Sequence, residues 1–129
     1  MTEEDKYLLY WQETAHDALD TAKGLFKLKH FDYSLFFCHL ALERLIKGLV
    51  YKKTKKPPFP IHNLVKLAHD ARLKLTQESL DELSEITTWN IRARYDNIKR
   101  DFYKKATTEF TKAWFIKVNK IYLWLKNQY

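Results

Sequence analysis

The chain reads as an all-α protein, and three observations lead there. Apolar residues recur at three- and four-residue steps over long stretches, the period of an amphipathic helix. Gly and Pro together number only five in 129 residues, too few for the tight turns an all-β fold needs. Hydrophobic residues make up 46% and aromatic residues 16%, enough to fill a core in a chain of 15.6 kDa. One domain spanning residues 1–129 is the expectation.

The first helix is expected from about Asp5 to Lys29, because Leu8, Trp11, Ala15, Ala18, Leu19, Ala22, Leu25 and Phe26 fall on one face. The chain then restarts at Phe31-Asp32-Tyr33-Ser34, where Asp32 is a suitable N-cap. The second helix runs to about Tyr51 and is apolar nearly all round, so it needs neighbours on more than one side. Pro57-Pro58-Phe59-Pro60 stops it through missing donors and fixed φ, which makes Lys52–Ile61 the clearest loop.

A short third helix is expected over Asn63–Leu73. Thr76 then caps a fourth, about Gln77–Trp89, with an acidic outer face of Glu78, Asp81, Glu82 and Glu85. From Phe102 onward, Ala106, Phe110, Ala113, Trp114, Val118, Ile121 and Leu125 describe a last helix of about 25 residues. Phe115, Tyr122 and Tyr129, seven apart on another side, are either core or, with the encircling apolarity of the second helix, part of a subunit interface.

The net charge of +7 is concentrated. Lys47, Lys52, Lys53, Lys55 and Lys56 have no acid among them, and Arg92, Arg94, Lys99, Arg100, Lys104 and Lys105 face only Asp96 and Asp101 within residues 91–105. Such segments favour polyanions, although a lysine-rich loop such as 52–56 is equally an ordinary solvated surface. The stretch Asn90–Arg100 joins two helical patterns without Gly or Pro, and it is the natural place for a phosphate-bearing partner.

The lone Cys38 excludes an internal disulfide and a cysteine-rich zinc site and fits a reducing compartment. An acidic N-terminus, Met1-Thr2-Glu3-Glu4-Asp5, is unlike a secretory signal, and no apolar run approaches a membrane span. A cytoplasmic protein without membrane attachment is expected.

On the second helix His39, Glu43 and Lys47 stand at i, i+4 and i+8, a polar line across an apolar surface. Burial would leave each unsatisfied group at a cost of about 1–3 kcal/mol, so partners are required. Glu43 either pairs with Lys47 along the helix or orients Arg94 or Arg92 from the junction. No metal or other cofactor is expected: His16, His30, His62 and His69 lie on separate segments, and nothing like His-Glu-x-x-His occurs. Gly24 and Gly48 are too far apart for a phosphate-cradling loop, and Ser34, Ser79 and Ser84 lack a nucleophile elbow.

Read in order, Ala15-His16-Asp17-Ala18-Leu19-Asp20-Thr21-Ala22, the run from Phe31 to Leu49 with Ala41-Leu42-Glu43 and Leu45-Ile46-Lys47, Pro60-Ile61-His62-Asn63-Leu64, and Arg94-Tyr95 resemble the HEPN domain (higher eukaryotes and prokaryotes nucleotide-binding) over nearly the whole chain. The resemblance implies an up-and-down bundle of four helices with an additional short helix, usually a homodimer with its functional groups in the cleft. It also implies a possible small nucleotidyltransferase as partner, in a two-component, toxin–antitoxin-like system. Some members are RNA-cleaving toxins that use Arg-x(4–6)-His at the start of the last long helix. Here the positions counted from Arg94 hold Lys99, Arg100 and Asp101, and those from Arg92 hold Asn97, Ile98 and Lys99. Lys and Arg are protonated near neutral pH and make poor bases, so the expected acid–base partner is missing.

The leading expectation is therefore a dimer, not catalytic or only weakly so, that binds a nucleotide, RNA or a nucleotidyltransferase. Arg92, Arg94, Tyr95, Lys99 and Arg100 would form its phosphate site, with His39, Glu43 and Lys47 in support. The alternatives are a metal-independent RNase whose base has moved, with Arg94 and Glu43 as catalytic candidates and Tyr95 or His39 as stand-ins, and a purely structural interaction module.

Overall fold

The computed structural model describes residues 1–129 and is helical throughout, in the order α1 (Glu3–Lys27), α2 (Phe31–Thr54), α3 (Leu64–Asp70), α4 (Gln77–Arg94), α5 (Asp101–Lys105) and α6 (Thr108–Lys126). The four long helices α1, α2, α4 and α6 form an up-and-down bundle, and α3 and α5 are short. No helix is long and apolar enough to cross a membrane.

Helix α1 begins two residues earlier than its apolar period. Thr2 and Asp5 form a reciprocal capping box: Thr2 Oγ1 accepts from the Asp5 amide and Asp5 Oδ2 from the Thr2 amide, each at 3.0 Å. It ends at Lys27, and Lys29 just beyond has a left-handed φ of 63°; the His30 amide reaches back to the Leu25 carbonyl and the Lys29 amide to that of Phe26. This tight reversal corrects the expected cap of α2. His30 holds the N-cap position without a side-chain bond, and Asp32 sits in the first turn, nearly buried, where a carboxylate still complements the helix dipole.

Helix α2 is central. It packs most extensively on α1 and also meets α6, α4, α3 and α5, so most of its encircling apolarity is consumed within the chain, with Phe36, Phe37 and Leu40 left partly buried. Leu35, Cys38, Ala41, Leu42, Leu45, Ile46 and Leu49 all belong to one cluster of 26 buried residues shared with α1, α3, α4 and α6. The Phe115–Tyr129 side also turns largely inward: Phe115 packs edge-on against Phe26, Tyr122 is buried, and Tyr129, just beyond α6, donates through Oη to the Leu45 carbonyl at 2.5 Å. Gly48 makes that insertion possible. A Cβ there would collide with Tyr129 Oη and stand 2.7 Å from Trp11 Cβ.

Other expected boundaries move. α2 runs through Lys52 and Lys53 to Thr54, and Lys55, with a left-handed φ of 60°, ends it, so the loop starts later than Lys52. α4 continues past Trp89 to Arg94, because nothing in Asn90–Ala93 breaks it, so Arg92 and Arg94 are helical residues. The expected 25-residue last helix is broken: Thr107 adopts extended geometry (φ −72°, ψ 169°) and its hydroxyl accepts from the Phe110 amide at 3.2 Å, capping α6 anew. The result is the separate, five-residue α5. The edge-on Trp89–Trp114 pair joins α4 and α6, and a cleft of about 460 Å³ lined by Leu75 and Trp124 among others lies between the two helices.

Candidate functional site

Two charged regions flank the same stripe of α2. The first is the polar line, and it is buried: His39 is fully enclosed, Glu43 is 4% exposed and Lys47 9%. Glu43 Oε2 accepts from Lys47 Nζ at 3.0 Å and Oε1 from His62 Nδ1 at 2.8 Å. His62 comes from the segment before α3, and its backbone carbonyl accepts from His39 Nε2 at 2.9 Å. A carboxylate with Lys47 on its other oxygen is an acceptor, so His62 Nδ1 carries the hydrogen. His39 Nε2 must also be protonated, which leaves its Nδ1 bare; that atom lies 3.8 Å from Glu43 Oε1 and has no hydrogen-bond partner. Burial holds the His39 pKa below its ordinary value, against the opposing pull of the His62 carbonyl and the Glu43 charge, so the neutral ring is the stable form.

This corrects the expected pairing of Glu43 with Arg92 or Arg94. Lys47, one turn along the same helix, and His62 supply the partners that burial demands, and no ion pair joins Glu43 to either arginine. Arg94 instead folds back on its own helix, with Nε donating to the Asn90 carbonyl at 2.9 Å and an Nη to Asn90 Oδ1 at 2.7 Å.

The second region is the exposed end of α4 with α5. Its acids are used for structure. Asp96 Oδ1 accepts from the Asn97 and Phe102 amides at 3.0 and 3.1 Å, and Oδ2 from Tyr103 at 2.9 Å, so the first amides of α5 are already satisfied. Partial burial would raise the Asp96 pKa, but the three amides and the Arg100 charge outweigh it and hold the group below the usual carboxylate value. Asp101 is engaged with the Asn97 side chain at 2.6 Å.

The cations are left without carboxylates: Arg92, Arg94, Lys99 and Arg100 take part in none of the ion pairs of the chain. The arginines lie on rings instead. Arg92 is 4.9 Å from the Phe102 centroid, Arg94 is 5.9 Å from Phe36 and 5.2 Å from Tyr95, and Arg100 is 3.7 Å from Tyr103. Tyr95 is 71% exposed and Ile98 is fully exposed beside them. Arg92, Tyr95, Asp96, Asn97, Asp101 and Phe102 line a shallow cleft of about 210 Å³.

The structure thus brings Arg92, Arg94, Tyr95, Lys99 and Arg100 to one end of α4 and α5, and gathers His39, Glu43 and Lys47 in a separate buried line. Sequence reasoning missed His62 as a member of that line, along with the ring partners Phe36, Phe102 and Tyr103. A histidine directly before the cap of α3 was visible; its 19-residue separation from Glu43 across a proline loop carried no distance information. No group of three or more His, Cys, Asp or Glu side chains is arranged to hold a metal ion.

A family model described as "HEPN domain" matches residues 8–128. Neither the curated proteins nor the solved structures give a significant match.

Proposed function

The chain belongs to the HEPN domain family, and from that membership we propose that it works as a cytoplasmic, single-domain binder of phosphate-bearing ligands, RNA or nucleotides, at the end of α4. The family assignment supports a nucleotide- or RNA-related role in general terms. The observation that supports the specific site is the set of three arginines that lack carboxylate partners and rest on aromatic rings beside an exposed Tyr95. Guanidinium groups offer a phosphate two hydrogen bonds, and exposed rings offer unpaired bases a stacking surface.

In this reading Arg94 is the principal phosphate ligand, since Asn90 and two rings hold it in place, and Arg92, Lys99 and Arg100 add field. The working unit is a homodimer, and a small nucleotidyltransferase is the partner in a two-component system. With most of α2 and of the Phe115–Tyr129 side of α6 packed within the chain, the dimer surface in this reading is the α4–α6 cleft. There Glu78 and Glu82 on the α4 wall stand opposite Lys117 and Lys120 on the α6 wall, which also carries Ile116 and Trp124, an arrangement that is self-complementary about a two-fold axis.

Fluorescence anisotropy with short RNA and with nucleotides tests the site. Binding should weaken steeply with salt, and Arg94→Ala should lose more affinity than Lys53→Ala at the end of α2. Absence of binding at low salt, or equal losses, would leave the purely structural module as the better reading. Sedimentation at tens of micromolar tests the dimer.

A further inference from the structure

Helices α1 and α6 both pack on α2 and meet each other at the edge-on Phe26–Phe115 pair. Toward the other end of α1 a cavity of about 330 Å³ lies between them, with Leu45 of α2 at its floor. One wall belongs to α1, where Glu13, His16 and Asp17 stand at i, i+3 and i+4 and therefore share a face. The other belongs to α6, where Tyr122 and Lys126 are one turn apart. The cavity has no residue in common with the basic end of α4 or with the buried line of α2.

Tyr122 is 6% exposed and its hydroxyl makes no hydrogen bond within the chain, whereas the neighbouring Tyr129 Oη donates to the Leu45 carbonyl. The polar side-chain atoms that are both enclosed and unpartnered are Trp11 Nε1, His39 Nδ1, Asp70 Oδ2 and Thr111 Oγ1. Tyr122 Oη is not one of them, so it is the tip of a buried side chain that reaches open space, and the space its residue lines is this cavity. Burial first, and then the Asp20 charge, push its pKa above the ordinary phenol value, so the group stays protonated and offers a hydrogen. A hydroxyl so placed is disfavoured until something supplies the missing bond.

The charges around that hydroxyl are of both signs and are not spent on each other. His16 Nε2 lies 3.2 Å from Asp20 Oδ2, but Glu13, Asp17 and Lys126 take part in none of the ion pairs of the chain, although all three border the one cavity. Two carboxylates on the α1 wall suit an ammonium group. Lys126 and the Tyr122 hydroxyl on the α6 wall are two donors, which suit the two oxygens of a carboxylate. A phosphate dianion would meet one cation and be repelled by two carboxylates, so the ligand differs in kind from that of the α4 end. We propose that this cavity binds a small zwitterion of the α-amino-acid class, its ammonium held by Glu13 and Asp17, its carboxylate by Lys126 and the Tyr122 hydroxyl, and its side chain resting on Leu45. The size agrees, since sites for small molecules begin at about 300 Å³.

The test is an NMR titration of the full, isotope-labelled chain with millimolar L-leucine and L-phenylalanine. Two analogues of each accompany them: the amide, which keeps the ammonium and lacks the carboxylate, and the N-acetyl form, which keeps the carboxylate and lacks the ammonium. At least one of the amino acids should shift the amides of α1 and α6 around the cavity, and its amide and N-acetyl forms should each bind at least ~10-fold more weakly, the factor for losing a charged hydrogen-bonded group. Tyr122→Phe keeps the ring and removes only the hydroxyl. Because that hydroxyl bonds nothing in the chain, urea unfolding should be unchanged while affinity falls by about 3-fold to 10-fold. Lys126→Met should erase the advantage of the amino acid over its amide, and Glu13→Gln with Asp17→Asn its advantage over the N-acetyl form. No shift with either amino acid, an amide that binds as tightly or more tightly, or an affinity that Tyr122→Phe leaves unchanged overturns the site. RNA anisotropy with Tyr122→Phe should match wild type, so that this cavity and the α4 end stand or fall separately.

Discussion

The buried line of α2 and the basic end of α4 hold charges under opposite conditions. Glu43 is enclosed and every contact it makes is to a cation or a donor; Arg92, Arg94 and Arg100 are at the surface and none touches a carboxylate. A charge removed from water must be matched within the chain, whereas a hydrated guanidinium can rest on a ring and keep its donors free. The first region is thus committed to the fold through the α2–α3 connection, and the second is free to meet a ligand. Expecting Glu43 to meet Arg94 merged two regions that the fold keeps apart.

The contrast predicts unequal responses to deletion. Glu43→Ala strips the partner from a buried Lys47 and releases His62, and should cost about 3–5 kcal/mol in urea unfolding. A loss below ~1 kcal/mol would mean that the line is hydrated and would erase the distinction. Gly48→Ala, one residue beyond Lys47, tests packing on the other side of the same helix. Its methyl group meets Trp11 Cβ, which cannot swing away, so a loss of about 1–3 kcal/mol is expected. Adding Tyr129→Ala should recover only part of it, since Trp11 remains.

Acid should separate the regions as well. The His39 pKa is held down by burial, so the unfolded chain binds a proton more readily than the folded one; the contribution is complete above the ordinary histidine value near ~6.5 and is lost as pH falls from there through the folded value. Glu43, Lys47 and His62 are the charged and titratable groups facing that ring. The Asp96 pKa is also depressed, so its contribution is complete above ~3.9 and is lost only as pH falls below that. Hydrogen exchange should therefore show α2 and the His62 segment loosening first on acidification and the Phe102 and Tyr103 amides later. The reverse order would contradict both assignments.

Periodicity made the four long helices legible, because each buries a stripe of apolar residues whose spacing survives in the sequence. Local chemistry was legible less evenly. Thr76 was recognised as a cap, while Thr107, the same residue type with the same bond to the third amide along, was hidden inside a pattern that stayed in phase across the break. Asp96 illustrates a further limit: one carboxylate bonds amides one, six and seven residues away, and composition registers only a minor acid in a basic segment. The polar line was visible at i, i+4 and i+8. Its completion by His62 was not, since a loop with prolines conveys no through-space distance.

The smallest stability effects belong at the end of α4, and they decide whether that surface exists for binding. Arg92 and Arg100 each rest on one ring and form no ion pair, and an exposed cation–π contact is worth about 0.5–1 kcal/mol. Arg92→Ala and Arg100→Ala should therefore change stability by no more than ~1 kcal/mol, with unchanged m-values. The same substitutions should each reduce the steepness with which log affinity for single-stranded RNA falls against log salt, by about 0.7 for every phosphate that is no longer neutralised. Arg→Lys at either position should preserve most of that slope yet lower affinity, because an ammonium keeps the charge and gives up the planar fork that a ring can support. A large stability loss would place these arginines with Glu43 as structural charges. An unaltered salt slope would show that their unpaired donors do not meet phosphate.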